Sequence, residues 1–65
     1  MAKYEAMRKM RRIRRAADMT QRELAEKVGC STNTIGGYEI GACSPSISML
    51  KKLAAALNCE VGDLI

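Results

Sequence analysis

Three hydroxyl side chains, Thr20, Ser31 and Ser46, each stand directly before a short stretch whose apolar residues recur at helical spacing. The first amides of a helix have no partner inside it, so an oxygen at the cap position marks where a helix can begin. Thr20-Gln21-Arg22-Glu23 has the form of a capping box, in which hydroxyl and carboxylate each satisfy the other residue's amide. The spacing therefore predicts a helix from Gln21, with Leu24, Ala25 and Val28 as its buried stripe and Gly29 as the left-handed residue that stops it. Ser31 predicts the next start, Ile35 and Tyr38 the inward face, and Gly41 the end. Only a tight turn separates the two.

The residues after Gly41 read as a loop, because Pro45 lacks the amide a continuing helix needs. Ser46 then caps a stretch with Ile47, Leu50, Leu53, Ala54 and Leu57 on one stripe and Asn58 as its C-cap. Val61, Leu64 and Ile65 predict a short fifth helix closing the bottom of the core. Upstream, Met10, Ile13 and Ala17 predict a first helix from about Tyr4 to Ala17, with arginines on its other faces and an end near Asp18. Neither a repeat nor a low-complexity segment interrupts this order.

Sixty-five residues, 48% of them apolar, allow one domain with one small core. Without Phe or Trp, and with only Tyr4 and Tyr38, that core is built from Leu, Ile, Val, Met and Ala, which suit helices better than sheets. The expected fold is all-α, a compact bundle of about five short helices spanning residues 1–65 as a single domain. No apolar run approaches the roughly 20 residues that cross a bilayer, and no apolar stretch follows the charged N-terminus as in a signal peptide. A soluble, cytoplasmic protein without a membrane role is expected.

Cys30, Cys43 and Cys59 form no CxxC pair, and the chain has no histidine, so a zinc site would be incomplete or shared. Thiols of a reducing cytosol, with Cys43 in an exposed loop, are the simpler reading, and no metal or other cofactor is expected. No nucleophile has a histidine to activate it, and the carboxylates are scattered over caps and helix surfaces, so nothing points to an enzyme or a small-molecule substrate. Charge is uneven. Nine of eleven basic residues precede position 28, and the net charge is +4. That fits a nucleic-acid partner and fits a solvated helix face equally well.

The stretch from Thr20 to Gly41, TQRELAEKVGCSTNTIGGYEIG, resembles the helix-turn-helix of the phage repressor and Cro-type family of small transcriptional regulators. Ala25 is small where the two helices cross, Gly29 permits the turn, and Ile35 and Tyr38 fill the angle between them. With Pro45 and the Leu50, Leu53, Ala54, Leu57 pattern, the resemblance covers about Met10 to the C-terminus. It implies a bundle of the lambda-repressor-like type whose third helix, residues 31–40, enters the major groove. It also implies that the N-terminus of the second helix sits against phosphate, where free amides and the helix dipole favour an anion.

By position, Thr20 and Gln21 would touch the DNA backbone, and Ser31 would open the reading helix. Helical spacing groups Thr32, Asn33, Gly36, Gly37 and Ile40 on its outer face, opposite Ile35 and Tyr38. Asn33 could pair bidentately with adenine, and Thr32 could offer thymine a hydroxyl or a methyl; both could equally be solvated filler. Gly36 and Gly37 depart from the family, which usually places a polar or basic reader there, and together they cost the helix roughly 2 kcal/mol. Either the backbone approaches DNA closely at these glycines or direct readout is lost, the second being favoured. The loop from Ala42 to Ser44 also lacks the basic residue common in relatives, so affinity would lean on the basic first helix. Arg8, Lys9, Arg11, Arg12 and Arg15 are nevertheless expected to surround that helix, so that not all face DNA and some serve solubility alone.

The resemblance further implies that Arg14 bridges Glu39, either as a pure stabilising pair or with a spare guanidinium edge for phosphate. Cys30 and Cys59 fall where relatives carry small apolar residues and are expected in the core. The expected activity is operator binding as a homodimer on double-stranded DNA, with apolar residues around Val61 and Ile65 as subunit contacts. A protein-interaction or bridging module on the same scaffold is the alternative, supported mainly by the glycine pair.

Overall fold

The helix boundaries fall where the caps place them. The computed structural model describes residues 2–65, which form α1 (Arg8–Ala16), α2 (Gln21–Val28), α3 (Thr32–Ile40) and α4 (Ile47–Ala56), followed by a single 3-10 turn over Val61–Asp63. The Thr20 hydroxyl accepts from the Glu23 amide at 3.0 Å while the Glu23 carboxylate accepts from the Thr20 amide at 3.0 Å, completing the capping box. Those bonds from Thr20 hold the Glu23 carboxyl below its ordinary value of 4.5. Ser31 and Ser46 cap α3 and α4 by accepting from the amides of Thr34 and Met49. Gly29 and Gly41 end α2 and α3 at φ of +78° and +83°.

Four expectations about the helices need correction. Ile47, at the first turn of α4, is 73% exposed and not part of the buried stripe, and α4 ends at Ala56 with Leu57, not Asn58, as its C-cap. The described chain has four α-helices rather than about five, since Val61–Asp63 makes one 3-10 turn. Glu60 and Asp63 cap each other there, and the intervening residues are too few for an α-helical turn to propagate. The first helix begins at Arg8 instead of Tyr4. The amides of Tyr4 and Met7 are drawn away from helix formation: they donate to the carbonyls of Gly41 at 2.8 Å and Tyr38 at 3.1 Å, satisfying the C-terminal end of α3.

Met10, Leu24, Ile35, Leu53 and Leu64 are fully buried, so every element contributes to one core. Met7, Ala25, Val28, Tyr38, Ala54 and Leu57 complete it. Cys30 and Cys59 pack against this core half-buried, and burial raises both thiol pKa values. Val61 also packs against the core, whereas Ile65 is 68% exposed, so of the two residues expected at a subunit contact only Ile65 is free on the surface. Among the described residues, no helix is long and apolar enough to cross a membrane.

Gly41 is required twice over. Its φ is left-handed, and a Cβ there would strike the Tyr4 carbonyl and approach the Ala6 amide at 3.2 Å. At Gly29, with a similar φ, a Cβ meets nothing within 4 Å. Gly29→Ala should therefore lower stability by roughly 1 kcal/mol, the cost of the backbone conformation alone. Gly41→Ala should cost clearly more, because the N-terminal segment must also be displaced. Urea unfolding of the two variants measures the difference, and equal losses would contradict this role of Gly41.

Candidate nucleic-acid interface

A buried ionic joint orients the two helices of the motif. Arg14 on α1 and Glu39 on α3 are 8% and 5% exposed. The Arg14 Nε donates to Glu39 Oε2 at 2.7 Å and Nη2 to Oε1 at 3.1 Å, a two-pronged pairing. The third nitrogen, Nη1, donates to the Met19 carbonyl at 2.7 Å, tying the joint to the segment that leads into α2. The first residue of α2 joins it as well: Gln21 Nε2 donates to Glu39 Oε1 at 2.9 Å. One carboxylate thus receives donors from α1 and α2 while riding on α3. Three of the five guanidinium N–H groups donate within the chain and the side chain is 9% exposed, so the pairing fixes α1 against α3 and against the start of α2.

Next to the joint, the start of α2 is open. Thr20 is exposed, and because its oxygen accepts from Glu23, its O–H remains available to donate outward. Gln21 is half-buried with one amide N–H donating to Glu39, which leaves its second amide N–H, its carbonyl oxygen and its backbone N–H. The start of α3 is open too. Ser31, Thr32 and Asn33 are exposed. The Ser31 hydroxyl pairs with the Thr34 hydroxyl at 2.8 Å, whereas the Thr32 and Asn33 side chains make no hydrogen bond among the described residues. Thr34, which the sequence did not single out, is fixed in the first turn by that hydroxyl pair.

The two glycines differ. At Gly36 a Cβ would meet the Gln21 amide group at 3.7 Å, ordinary contact, so space does not demand glycine there. At Gly37 a Cβ would lie 2.7 Å from the Cys43 sulfur. The Cys43 thiol is half-buried rather than exposed, leans on α3 and donates to the Thr34 carbonyl at 3.8 Å. A side chain at position 37 would thus have to displace the Cys43 thiol. No sequence signal joins residues 37 and 43, because the contact depends on how the loop folds back. Ile40, at the far end of the outer face, is 66% exposed.

This arrangement of a capped helix, a glycine turn and a second helix is shared with known proteins. The helix-turn-helix family matches residues 10–64, and the chain belongs to that family of DNA-binding, transcription-regulating domains. It is 39% identical over 56 residues to an uncharacterized HTH-type transcriptional regulator of Archaeoglobus fulgidus, covering 86% of this chain and 80% of that one. To the cryptic phage CTXphi transcriptional repressor RstR of Vibrio cholerae it is 33% identical, covering 88% of this chain and 51% of the repressor. Among solved structures, the restriction-modification controller protein C.AhdI of Aeromonas hydrophila superposes with a TM-score of 0.85 at 33% identity, covering 89% of this chain and 88% of that one. The clp gene regulator ClgR of C. glutamicum gives 0.80 at 30% identity, covering 86% and 73%.

Two consequences of this geometry can be measured. Glu39→Ala leaves a buried guanidinium unpaired and should cost about 3–5 kcal/mol in urea unfolding, whereas the double variant Arg14→Met, Glu39→Leu should recover most of it. A double variant no more stable than Glu39→Ala would show that the joint acts otherwise than by charge compensation. Gly37→Ala should destabilise, and Cys43→Ala in the same chain should remove most of that loss. Gly36→Ala, with room for its methyl, should gain up to about 1 kcal/mol. A Gly37 loss that persists without the Cys43 sulfur would rule out the steric account.

Proposed function

We propose that this chain is a sequence-specific operator-binding regulator, repressor-like in action, that reads the major groove of double-stranded DNA with the first turn of α3. The observation that carries the proposal is the pairing of two open helix starts across the buried joint. Thr20 and Gln21 present an O–H, an amide and the positive end of α2 to a phosphate. Arg14, Glu39 and Gln21 fix α3 relative to that anchor. Asn33 and Thr32 then face outward with their polar atoms uncommitted, Asn33 suited to adenine and Thr32 to thymine. Ser31 holds the first turn, and Arg14 acts by positioning. C.AhdI and RstR, which are named as controller and repressor, support the regulatory assignment.

Two-fold binding follows from the small size of the reading surface, since one short helix gives little discrimination and two on successive turns multiply it. Of the exposed large apolar side chains, Ile40 lies on the reading helix, which leaves Ile47 and Ile65, 73% and 68% exposed, with the half-exposed Tyr4, for a subunit contact. A protein-docking use of α3 drew its support from the glycine pair. Gly37 has an internal reason for being glycine, and that support weakens accordingly.

Selection of bound duplexes from a random pool supplies the probe. Asn33→Ala should weaken binding to the selected site by about tenfold or more while leaving random duplex affinity nearly unchanged. Neutralisation of about five phosphates gives a slope of log affinity against log salt near −4.5. Failure to enrich any sequence, or equal loss on selected and random duplexes, would refute base reading through Asn33. Sedimentation of the complex should show two chains on the selected site.

A further inference from the structure

The reading just given uses the starts of α2 and α3 and leaves the most strongly charged surface of the molecule unexplained. Arg8, Arg11, Arg12 and Arg15 are all exposed, and together they alone line a shallow surface depression of about 650 Å³. Their spacing is i, i+3, i+4 and i+7, so they share one face of α1. Among the described residues none of the four takes part in a salt bridge or a side-chain hydrogen bond, and α1 contains no acidic residue. Like charges at these spacings oppose the helix, and Arg8 with its neighbour Lys9 also lies at the positive end of the helix dipole. Solubility alone would be served by charges spread over the surface. An unneutralised row within two turns is the complement of a row of anions.

We propose that this arginine face is a second DNA-contacting surface, which grips the phosphate backbone of the duplex flanking the bases read by α3. The proposal rests on the DNA-binding reading above. Position favours DNA over another polyanion. The row ends at Arg15, five residues before the Thr20 cap, where the first phosphate anchor lies. Arg8 to Arg15 spans roughly 10 Å along the helix axis, enough for one or two further phosphates of the same strand. The long guanidinium side chains are mobile enough to follow the backbone without a fixed partner in the protein. The contact carries no base information; it would supply the affinity that the Ala42–Ser44 loop, which has no basic residue, does not.

The test compares two duplexes carrying the selected site, one trimmed to the protected bases and one extended by about a helical turn, roughly 10 base pairs, at each end. Wild-type protein should bind the extended duplex about tenfold or more tightly than the trimmed one at moderate salt. Replacing Arg8, Arg11, Arg12 and Arg15 by Gln should abolish that gain and make the salt slope shallower by about 0.9 for every phosphate no longer neutralised, while the preference for the selected sequence over random DNA stays the same. Thermal unfolding should show the variant at least as stable as wild type, since the repulsion is relieved. Arg11→Gln with Arg15→Gln is set against Lys51→Gln with Lys52→Gln, an equal change of charge on α4. Equal losses for these two pairs would reduce the effect to net charge and overturn the proposal. So would a four-site variant that keeps the gain from added flanks. If wild-type protein binds no duplex at all, the DNA-binding reading fails first; if it binds the trimmed duplex and gains nothing from the flanks, only this inference fails.

Discussion

One buried carboxylate organises the molecule. Glu39 has almost no access to water, so its charge has to be met inside, and it is met by Arg14 from α1 and Gln21 from α2. Such a pair adds little net stability, because removing both charges from water costs about what their attraction returns. It is, however, intolerant of displacement. Shifting α3 relative to α1 or α2 strands a charge or an amide, and no buried side-chain nitrogen or oxygen among the described residues is left without a partner. The placement of α3 against α1 and α2 is therefore restrained by charge satisfaction in addition to the apolar contacts of Ala25, Ile35 and Tyr38.

The same helix is held from two further sides. At its end, the carbonyls of Tyr38 and Gly41 accept from the amides of Met7 and Tyr4, so the segment before α1 works as a clasp instead of an added turn. Behind it, Cys43 occupies the space a side chain at position 37 would take. The bare middle of α3 is thus partly a packing requirement. What remains to face outward is its first turn, where Thr32 and Asn33 have no competing partners within the chain.

Most of the helix boundaries were legible because they are local. A cap is decided by a hydroxyl and an amide three residues away, and a glycine stop by the φ of one residue, so Thr20, Ser31, Ser46, Gly29 and Gly41 all stand where their chemistry puts them. The errors have two sources, one distant and one local. Tyr4 to Met7 carry helix-compatible residues, but their amides find carbonyls more than 30 positions away. Val61 to Ile65 carry a helical apolar pattern, but mutual capping of Glu60 and Asp63 closes a single turn. The Arg14 and Glu39 pairing followed from likeness to a known family and not from the residues alone, while the placement of Cys43 on Gly37 had no signal in either.

By itself, then, the sequence determined the order of the four main helices, the capped starts of three of them, and the excess of arginine on α1, since each depends on neighbours within four residues. The tertiary structure decided which polar groups remain free. Arg14 and the Gln21 side-chain amide are turned onto Glu39, Gly37 lies against a thiol, and Thr32, Asn33 and the arginine face are left open. That division has a simple cause: a side chain's intrinsic chemistry is fixed by its type, but its availability to a partner depends on what the rest of the chain brings within hydrogen-bonding distance.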